Sequence, residues 1–276
     1  MEIKGLTVAC FSPTGTTRRV CDAFAAGAGY ADVEIIDLTH CEAEAVVPSD
    51  RLVVIAAPVY GGHVPQLAVG RMAGLTSDGA PAVVISVYGN RAYEHALQEL
   101  SSLAASKGMN VIAAATFVGE HSYSSEALPI AHGRPDADDL ATARDFGKAV
   151  AGKLSRLESI GRTALVDVRK IARPRQSLAG SLRFAAGAIR IIMAKPEMQV
   201  TPSVDAGLCV HCGKCAGLCP SGAITAGQEE TTDKDKCIRC CACVKGCPRR
   251  ARTFVTPFAS ILSKNFRRRK QPKVML

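Results

Sequence analysis

The 276-residue chain carries 34 Lys and Arg against 25 Asp and Glu, a formal net charge of +9, and 47% of its residues are hydrophobic. This composition is typical of a globular protein that buries a sizeable core. The apolar runs all fall short of about 18 residues, which argues against a membrane-spanning helix. The opening residues MEIKGLTVAC lack the features of a secretion signal, so we expect a cytoplasmic protein.

Charge and cysteine content divide the chain into two unlike parts. Residues 1–150 hold 10 Lys and Arg against 17 Asp and Glu, a net charge of −7, whereas residues 151–276 hold 24 against 8, a net charge of +16. Nine of the twelve cysteines lie between Cys209 and Cys247. In a chain of this size without an export signal, clustered thiols are more often metal ligands than disulfides.

Short runs rich in Val and Ile alternate with helical segments in the first 150 residues. The predicted strands are LTVACF (6–11), VEIIDL (33–38), LVVIAAP (52–58), AVVISVY (82–88) and VIAAATFV (111–118). The predicted helices are 16–28, 65–74, 91–106 and 136–157. Strands that are apolar throughout and alternate with helices indicate a parallel sheet with helices on both faces.

We divide the chain into four segments. They are an α/β domain (1–157), a basic linker with an amphipathic helix (158–200), a cysteine-rich domain (201–255) and a basic tail (256–276) that we expect to be solvated and mobile.

The linker contains the sequence SLAGSLRFAAGAIRIIMA, which has helical periodicity. One face of this helix would carry Leu178, Leu182, Ala185, Ile189 and Ile192, with Arg183 and Arg190 on the opposite side. We expect the apolar face to pack against its own domain. Contact with a membrane surface or a partner is the alternative.

Two cysteine motifs have the same spacing, C-x2-C-x2-C-x3-C-P: CVHCGKCAGLCP (209–220) and CIRCCACVKGCP (237–248). Three closely spaced thiolates can hold three corners of an iron–sulfur cluster, and the fourth cysteine of each motif ligates the other cluster. We therefore predict two [4Fe-4S] clusters, one on Cys209, Cys212, Cys215 and Cys247, the other on Cys237, Cys240, Cys243 and Cys219. Zinc is the alternative, but its sites usually pair two C-x2-C knuckles and do not require C-x3-C-P in each half.

This part of the chain, about residues 201–255, resembles the bacterial two-cluster ferredoxins. Cys241 falls between ligand positions, and we expect it to be a small neighbour of the second cluster rather than a ligand. The second motif continues RRAR, where ferredoxins often have an apolar residue. We expect Arg249 and Arg250 to open the second cluster to solvent or to an anionic partner and to favour its reduced form.

The loop SPTGTT follows the first predicted strand and begins the first helix. Backbone N–H groups at a helix N-terminus attract anions, and neighbouring hydroxyls add further donors. Ser12, Thr14, Gly15, Thr16 and Thr17 could therefore surround a phosphate, with the glycine giving the backbone room. Neither a Walker A sequence nor a dinucleotide fingerprint is present. The alternative for the loop by itself is an ordinary capped turn.

The pattern S-x-T-G-x-T after the first strand is similar to the phosphate loop of the flavodoxins, which bind FMN. The resemblance covers about residues 3–155 and implies a flavodoxin-like, doubly wound sheet of five parallel strands in the order 2-1-3-4-5. It implies that the phosphate lies on residues 12–17 and the flavin ring between loops 57–62 and 87–93. The implied ring-binding residues are Pro58, Val59, Tyr60, Gly61, Val87, Tyr88, Gly89, Asn90 and Tyr93. Because the chain has no Trp, Tyr60, Tyr88 and Tyr93 are the candidates to stack on the ring, with Tyr123 a weaker one at its rim.

As a whole the chain resembles the flavodoxin–ferredoxin fusion proteins of anaerobes, which implies electron transfer between FMN, two clusters and external redox proteins. A flavin-dependent reductase of a small substrate is the alternative, with His63, His95, His121 and His132 available as acids or bases. The basic half suits an acidic redox partner or an anionic membrane surface. We do not expect nucleic-acid binding, because no recognition motif accompanies the charge. The opposite charges of the two halves would allow chains to associate head to tail.

Overall fold

The structure is a computed structural model and describes residues 2–194 and 201–276. Its helices are α1 (Thr16–Ala28), α2 (Gln66–Arg71), α3 (Ala96–Ser106), α4 (Ala137–Ser155), α5 (Leu178–Ala194), α6 (Lys214–Gly217), α7 (Ala242–Lys245) and α8 (Pro257–Asn265). Its strands are β1 (Gly5–Cys10), β2 (Val33–Asp37), β3 (Glu44–Val47), β4 (Arg51–Pro58), β5 (Gly74–Ser77), β6 (Pro81–Tyr88), β7 (Asn110–Val118), β8 (Ser203–Val204), β9 (Arg252–Thr253) and β10 (Lys273–Met275). The last residues of the predicted linker, 195–200, lie outside the described residues.

The main sheet has six strands in the order β10-β7-β6-β4-β1-β2. The five strands predicted from the sequence are parallel and lie side by side in the flavodoxin-like order, with Val8 of β1 paired to Ile35 on one side and Val54 on the other. A sixth strand, β10, which the sequence does not predict, adds an antiparallel edge against β7. The strand order reverses between β1 and β4, so a crevice is expected at the carboxyl ends of these strands.

Helices cover the sheet on both faces, as continuous apolar strands require. One buried layer contains Phe24 of α1 and Phe146 of α4, whose rings meet edge to face at 5.4 Å. The other layer contains Leu97 and Leu100 of α3. The sheet is thus a rigid support for the loops at its carboxyl edge.

Helices α1 and α4 approach closely at Gly147, where an added Cβ would overlap the backbone carbonyl of Phe24. We expect Gly147→Ala to lower the free energy of unfolding by about 1–3 kcal/mol through overpacking, measured by denaturant unfolding. Gly152→Ala in the same helix is the matched control, since a Cβ there would meet no atom within 4 Å. That change should raise stability by up to about 1 kcal/mol. Equal effects of the two substitutions would contradict the close approach.

The C-terminal tail is docked on the α/β domain, so the expected solvated tail is wrong. Helix α8 begins at Pro257 behind Thr256, whose hydroxyl accepts a hydrogen bond from the Phe258 N–H. Lys270 is buried, and its ammonium group donates to the Asn90 and Arg91 carbonyls and to the Gln176 side chain. Burial lowers the pKa of Lys270 to about 8. Lys270 therefore satisfies carbonyl groups of the first domain, whereas Arg267, Arg268 and Arg269 beside it are exposed.

Helix α5 packs on α8 through the side opposite to the one expected. Phe184 meets Phe266 edge to face at 5.1 Å, and Gly180 lies against the Asn265 carbonyl. The apolar face predicted to pack inward is exposed along its length (Leu178, Leu182, Ala185, Ile189 and Ile192). No helix within the two described ranges is long and apolar enough to cross a membrane.

Candidate functional site

A cleft of about 430 Å³ opens at the carboxyl ends of β4, β6 and β7. Nine predicted flavin-site residues line it: Thr14, Thr16, Pro58, Val59, Tyr60, Gly61, Val87, Tyr88 and Gly89. The parallel sheet brings these loops together because the carboxyl ends of its strands lie at one edge.

The loop from Ser12 to Thr17 lies at the N-terminus of α1. Gly15 precedes the helix with a left-handed φ of 79°, and no side chain caps the helix at this residue. The Ser12 hydroxyl accepts a hydrogen bond from the Arg18 N–H at 3.0 Å, so it stabilises the loop itself. The buried Thr17 hydroxyl has no hydrogen-bond partner in the described part of the chain. With Ser12 holding one N–H of the first turn, the N-terminus of α1 and this Thr17 hydroxyl fit the phosphate of the flavin that the sequence predicts.

Two of the predicted ring-binding residues do not reach the cleft. Tyr93 is buried in the core, where its ring meets Tyr88 edge to face at 5.8 Å and its hydroxyl donates to the Ile171 carbonyl at 3.3 Å. The Asn90 amide donates to the Phe266 and Arg268 carbonyls of the tail. The prediction that Tyr93 and Asn90 bind the flavin ring is therefore wrong. Tyr93 packs in the core, and Asn90 binds the tail.

The loop after β7 supplies a further wall: Gly119, Glu120, His121, Ser122 and Tyr123. Of this loop, the sequence indicates His121 and Tyr123 but not the other three residues. The sequence signal for this wall is the position of the loop directly after the fifth parallel strand. The Tyr123 N–H donates to His121 Nδ1 at 3.0 Å, so the ring proton lies on Nε2. Burial lowers the pKa of His121 to about 4, which makes the imidazole neutral at pH 7. Gly89 must be small, because a Cβ there would overlap the His121 ring.

The remaining wall comes from segments far along the chain: Phe184 of α5, Phe258 and Leu262 of α8, and Ile238 and Arg239. Arg91, which also lines the cleft, lies over the Phe184 ring at 5.6 Å. Ile238 and Arg239 stand between two cysteines of the second motif. Sequence periodicity carries no information about such long-range packing, so these residues could not be predicted.

The structure brings the cysteines together in two separate cavities. The first cysteine cavity is lined by Cys209, Cys212, Cys215 and Cys247. The second cysteine cavity is lined by Cys219, Cys237, Cys240, Cys241 and Cys243. The first cysteine cavity thus takes three cysteines from the first motif and Cys247 from the second. The second cysteine cavity takes Cys219 from the first motif and, besides Cys241, the three predicted ligands of the second motif, as the predicted crossed ligation requires.

Thiols of the second cysteine cavity are the more buried. Burial raises the pKa of Cys240 to about 12 and that of Cys243 to about 11. Such thiols must release protons when they become thiolate ligands. Cys241 is buried in the same cavity, and its thiol donates to the Arg239 carbonyl at 3.7 Å.

In the described ranges no three His, Cys, Asp or Glu side chains converge as they would on a single metal ion. The Cys₄ sets fit the predicted clusters by their donor atoms and their crossed arrangement.

Arg249 lines the first cysteine cavity and not the second, which corrects the expected position of the RRAR sequence. The physical reason is the crossed arrangement, because Arg249 follows Cys247. The buried Arg252 lies between the cavities. It lines the first, and its guanidinium donates to Cys243 Sγ of the second at 3.8 Å and to the Thr232 hydroxyl at 3.0 Å.

Comparison with known proteins separates the two halves of the chain. Residues 202–225 and 230–253 match the family described as 4Fe-4S binding domain, and each stretch contains one cysteine motif. The C-terminal module is a 4Fe-4S domain. A search of curated proteins finds no match to the chain.

Solved structures similar to the first half include a flavodoxin from the domain Archaea (15% identity, TM-score 0.38, 55% of this chain and 99% of that one). Another is a Streptococcus pneumoniae TIGR4 flavodoxin (18% identity, TM-score 0.38, 54% of this chain and 99% of that one). A third is the rubredoxin oxygen:oxidoreductase of Desulfovibrio gigas (10% identity, TM-score 0.37, 56% of this chain and 37% of that one). The flavodoxin-like assignment of the first half rests on the strand order of its sheet. The 4Fe-4S domain belongs to the same chain.

Arg252 is expected to tune the potentials of the 4Fe-4S domain. Replacing it by Met removes a buried positive charge near added electrons, so we expect cluster reduction potentials to fall by roughly 50–100 mV. Anaerobic redox titration followed by electron paramagnetic resonance measures the shift. Arg252→Lys keeps the charge, so it should lower the cluster reduction potentials much less than Arg252→Met does. A similar fall in both variants would indicate a packing effect and contradict the electrostatic role.

Proposed function

We propose that the protein transfers electrons between an FMN in the cleft, two [4Fe-4S] clusters in the first and second cysteine cavities, and external redox proteins. When bound, a flavin exchanges one or two electrons and a cluster exchanges one, so the pair can connect carriers of different type. The phosphate would lie on the loop from Ser12 to Thr17, and the ring beside Val59, Tyr60 and Gly89.

The observation that carries the proposal is a shared wall between the cleft and the second cysteine cavity. Ile238 lines both, and Arg239 beside it also lines the cleft. Burial raises the pKa of Tyr60 in the cleft, and the neighbouring Cys240 raises it further, so this ring also lies near the second cavity. Because electron tunnelling weakens steeply with distance, this contact favours direct exchange between the flavin and the second cluster.

The first cysteine cavity is the better candidate for exchange with an external protein. Cys212 is exposed, and the adjoining Val210 and Leu208 are 57% and 44% exposed. Lys214 and Arg249 line this cavity and are exposed. A small apolar surface next to positive charge suits an acidic redox protein.

The alternative, reduction of a small substrate at the flavin, has weaker support. His121 is the histidine that lines the cleft, but with a pKa of about 4 it is a poor proton donor at neutral pH. We therefore favour a carrier over an enzyme with its own substrate. Thiols ligating clusters persist in a reducing compartment, and we propose a cytoplasmic location in an anaerobe on that ground and on the resemblance to the fusion proteins.

The decisive experiment is purification without oxygen, followed by counts of iron, sulfide and FMN and by stopped-flow reduction. We expect about eight irons, about eight sulfides and about one FMN per chain. Electrons supplied to the clusters should reach the flavin, and the reduced chain should react with redox proteins faster than with a panel of small acceptors. Zinc without flavin would overturn the cofactor assignment, and saturable turnover of one small acceptor would favour the reductase.

A further inference from the structure

Helix α5 presents a continuous apolar face to solvent. Leu178, Leu182 and Met193 are 84%, 71% and 76% exposed, and Ile189 and Ile192 are more than half exposed. These side chains recur at helical spacing and so form one stripe along the 17-residue helix. Large apolar patches on a protein surface mark interaction sites.

The opposite side of α5 fixes the direction in which the stripe points. Phe184 packs on Phe266, and the Arg183 guanidinium donates to the Asn265 side chain of α8 at 3.3 Å. At Gly187, a Cβ would lie 3.1 Å from the Ile261 side chain, so the helices are in close contact there. Because α8 holds this side, α5 cannot turn its apolar stripe inward without losing these contacts.

The segment that carries the stripe is basic. Residues 170–194 contain five basic side chains and no acidic one: Lys170, Arg173, Arg175, Arg183 and Arg190. All five are exposed, and Arg183 and Arg190 lie on α5 itself. Arg169, just before this segment, is paired with Asp167 at 2.8 Å. A second copy of the chain docked through this face would bring like charges together, which is unfavourable. An anionic surface would neutralise them.

We propose that α5 lies in the interface of an anionic membrane, with its apolar stripe among the acyl chains and its arginines at the lipid headgroups. A helix with a strong apolar face and flanking cations is the arrangement that binds in the plane of a bilayer. The inference concerns the surface of α5 alone and is independent of the proposed cofactors.

The test is sedimentation of the full chain with vesicles of phosphatidylcholine, with or without about 30 mol % phosphatidylserine. We expect binding to the anionic vesicles at low salt, weakened by added salt. Ile189→Glu should weaken binding at least about tenfold by removing buried apolar area, and Arg190→Gln roughly fivefold. Val46→Glu is the matched control, because Val46 is 78% exposed on β3 outside this surface and should tolerate the change.

A second measurement uses the absence of tryptophan from the chain. Leu182→Trp gives a single reporter whose emission should shift to shorter wavelength when anionic vesicles are added, because the indole enters the interface. Absence of binding, equal effects of Ile189→Glu and Val46→Glu, or an unshifted emission would overturn the proposal. Light scattering measures the oligomeric state. If the unchanged chain is a dimer and Ile189→Glu is a monomer, the apolar stripe binds a second copy of the chain and the membrane proposal is wrong.

Discussion

Replacing Cys240 by alanine is expected to lower the iron content of the anaerobically purified chain from about eight to about four atoms, because one of two clusters is lost. The lost cluster is the one whose cavity shares Ile238 with the flavin cleft. Electrons supplied to the remaining cluster should then fail to reach the flavin at the original rate. Iron and sulfide analysis with stopped-flow absorbance measures both effects.

Cys241 provides the matched control, since it is the next residue in the chain and is buried in the same cavity. Its thiol donates to the Arg239 carbonyl, and its position falls between the ligands of the motif. Cys241→Ala should therefore retain about eight irons and a nearly normal transfer rate. Loss of a cluster in Cys241→Ala, or full iron content in Cys240→Ala, would show that the ligand assignment is wrong.

Replacing Thr16 by aspartate is expected to weaken FMN binding on the order of 100-fold or more, because it places a carboxylate at the loop proposed to hold the phosphate. Thr16 lines the cleft at the start of α1. Thr16→Val removes only the hydroxyl and should cost roughly tenfold, the value of one or two neutral hydrogen bonds. Titration of the flavin-free protein with FMN, followed by quenching of flavin fluorescence, measures both affinities.

Ser102→Asp is the control for the added negative charge, because Ser102 is exposed on α3. Its effect on FMN affinity should be within about twofold, since exposed distant charges are largely screened. If Thr16→Asp binds FMN as well as Ser102→Asp does, the phosphate does not lie on this loop.

Much of the flavin site could be predicted because its residues follow strands with a clear signal. β4 and β6 are almost entirely apolar, Gly89 comes directly after β6, and Tyr60 is the second residue after β4. Tyr93 and Asn90 were assigned to the same site by sequence position alone. Their side chains instead reach the Ile171 and Phe266 carbonyls, which are groups of distant segments and leave no trace in local sequence.

The basic segments were harder to interpret because composition does not distinguish a solvated lysine from a buried one. Lys270 differs from its neighbours only in the carbonyl groups that surround it. Arg249 was predictable in principle, since crossed ligation carries the residues after Cys247 to the first cavity. The apolar stripe of α5 was found correctly, but its direction depends on the contacts of Phe184 with α8.

Pairing of β10 with β7 has a mechanical consequence for the 4Fe-4S domain. The chain leaves the flavodoxin-like sheet after α4, forms the 4Fe-4S domain and returns to add a strand to the same sheet. The 4Fe-4S domain is therefore tethered at two points, like an insertion within a domain, and not at the end of a single flexible linker. Two points of attachment restrict the orientations that the 4Fe-4S domain can adopt relative to the sheet. The distance between the proposed flavin and the proposed clusters would therefore stay nearly constant, and electron transfer between them would not depend on diffusion of one domain toward the other.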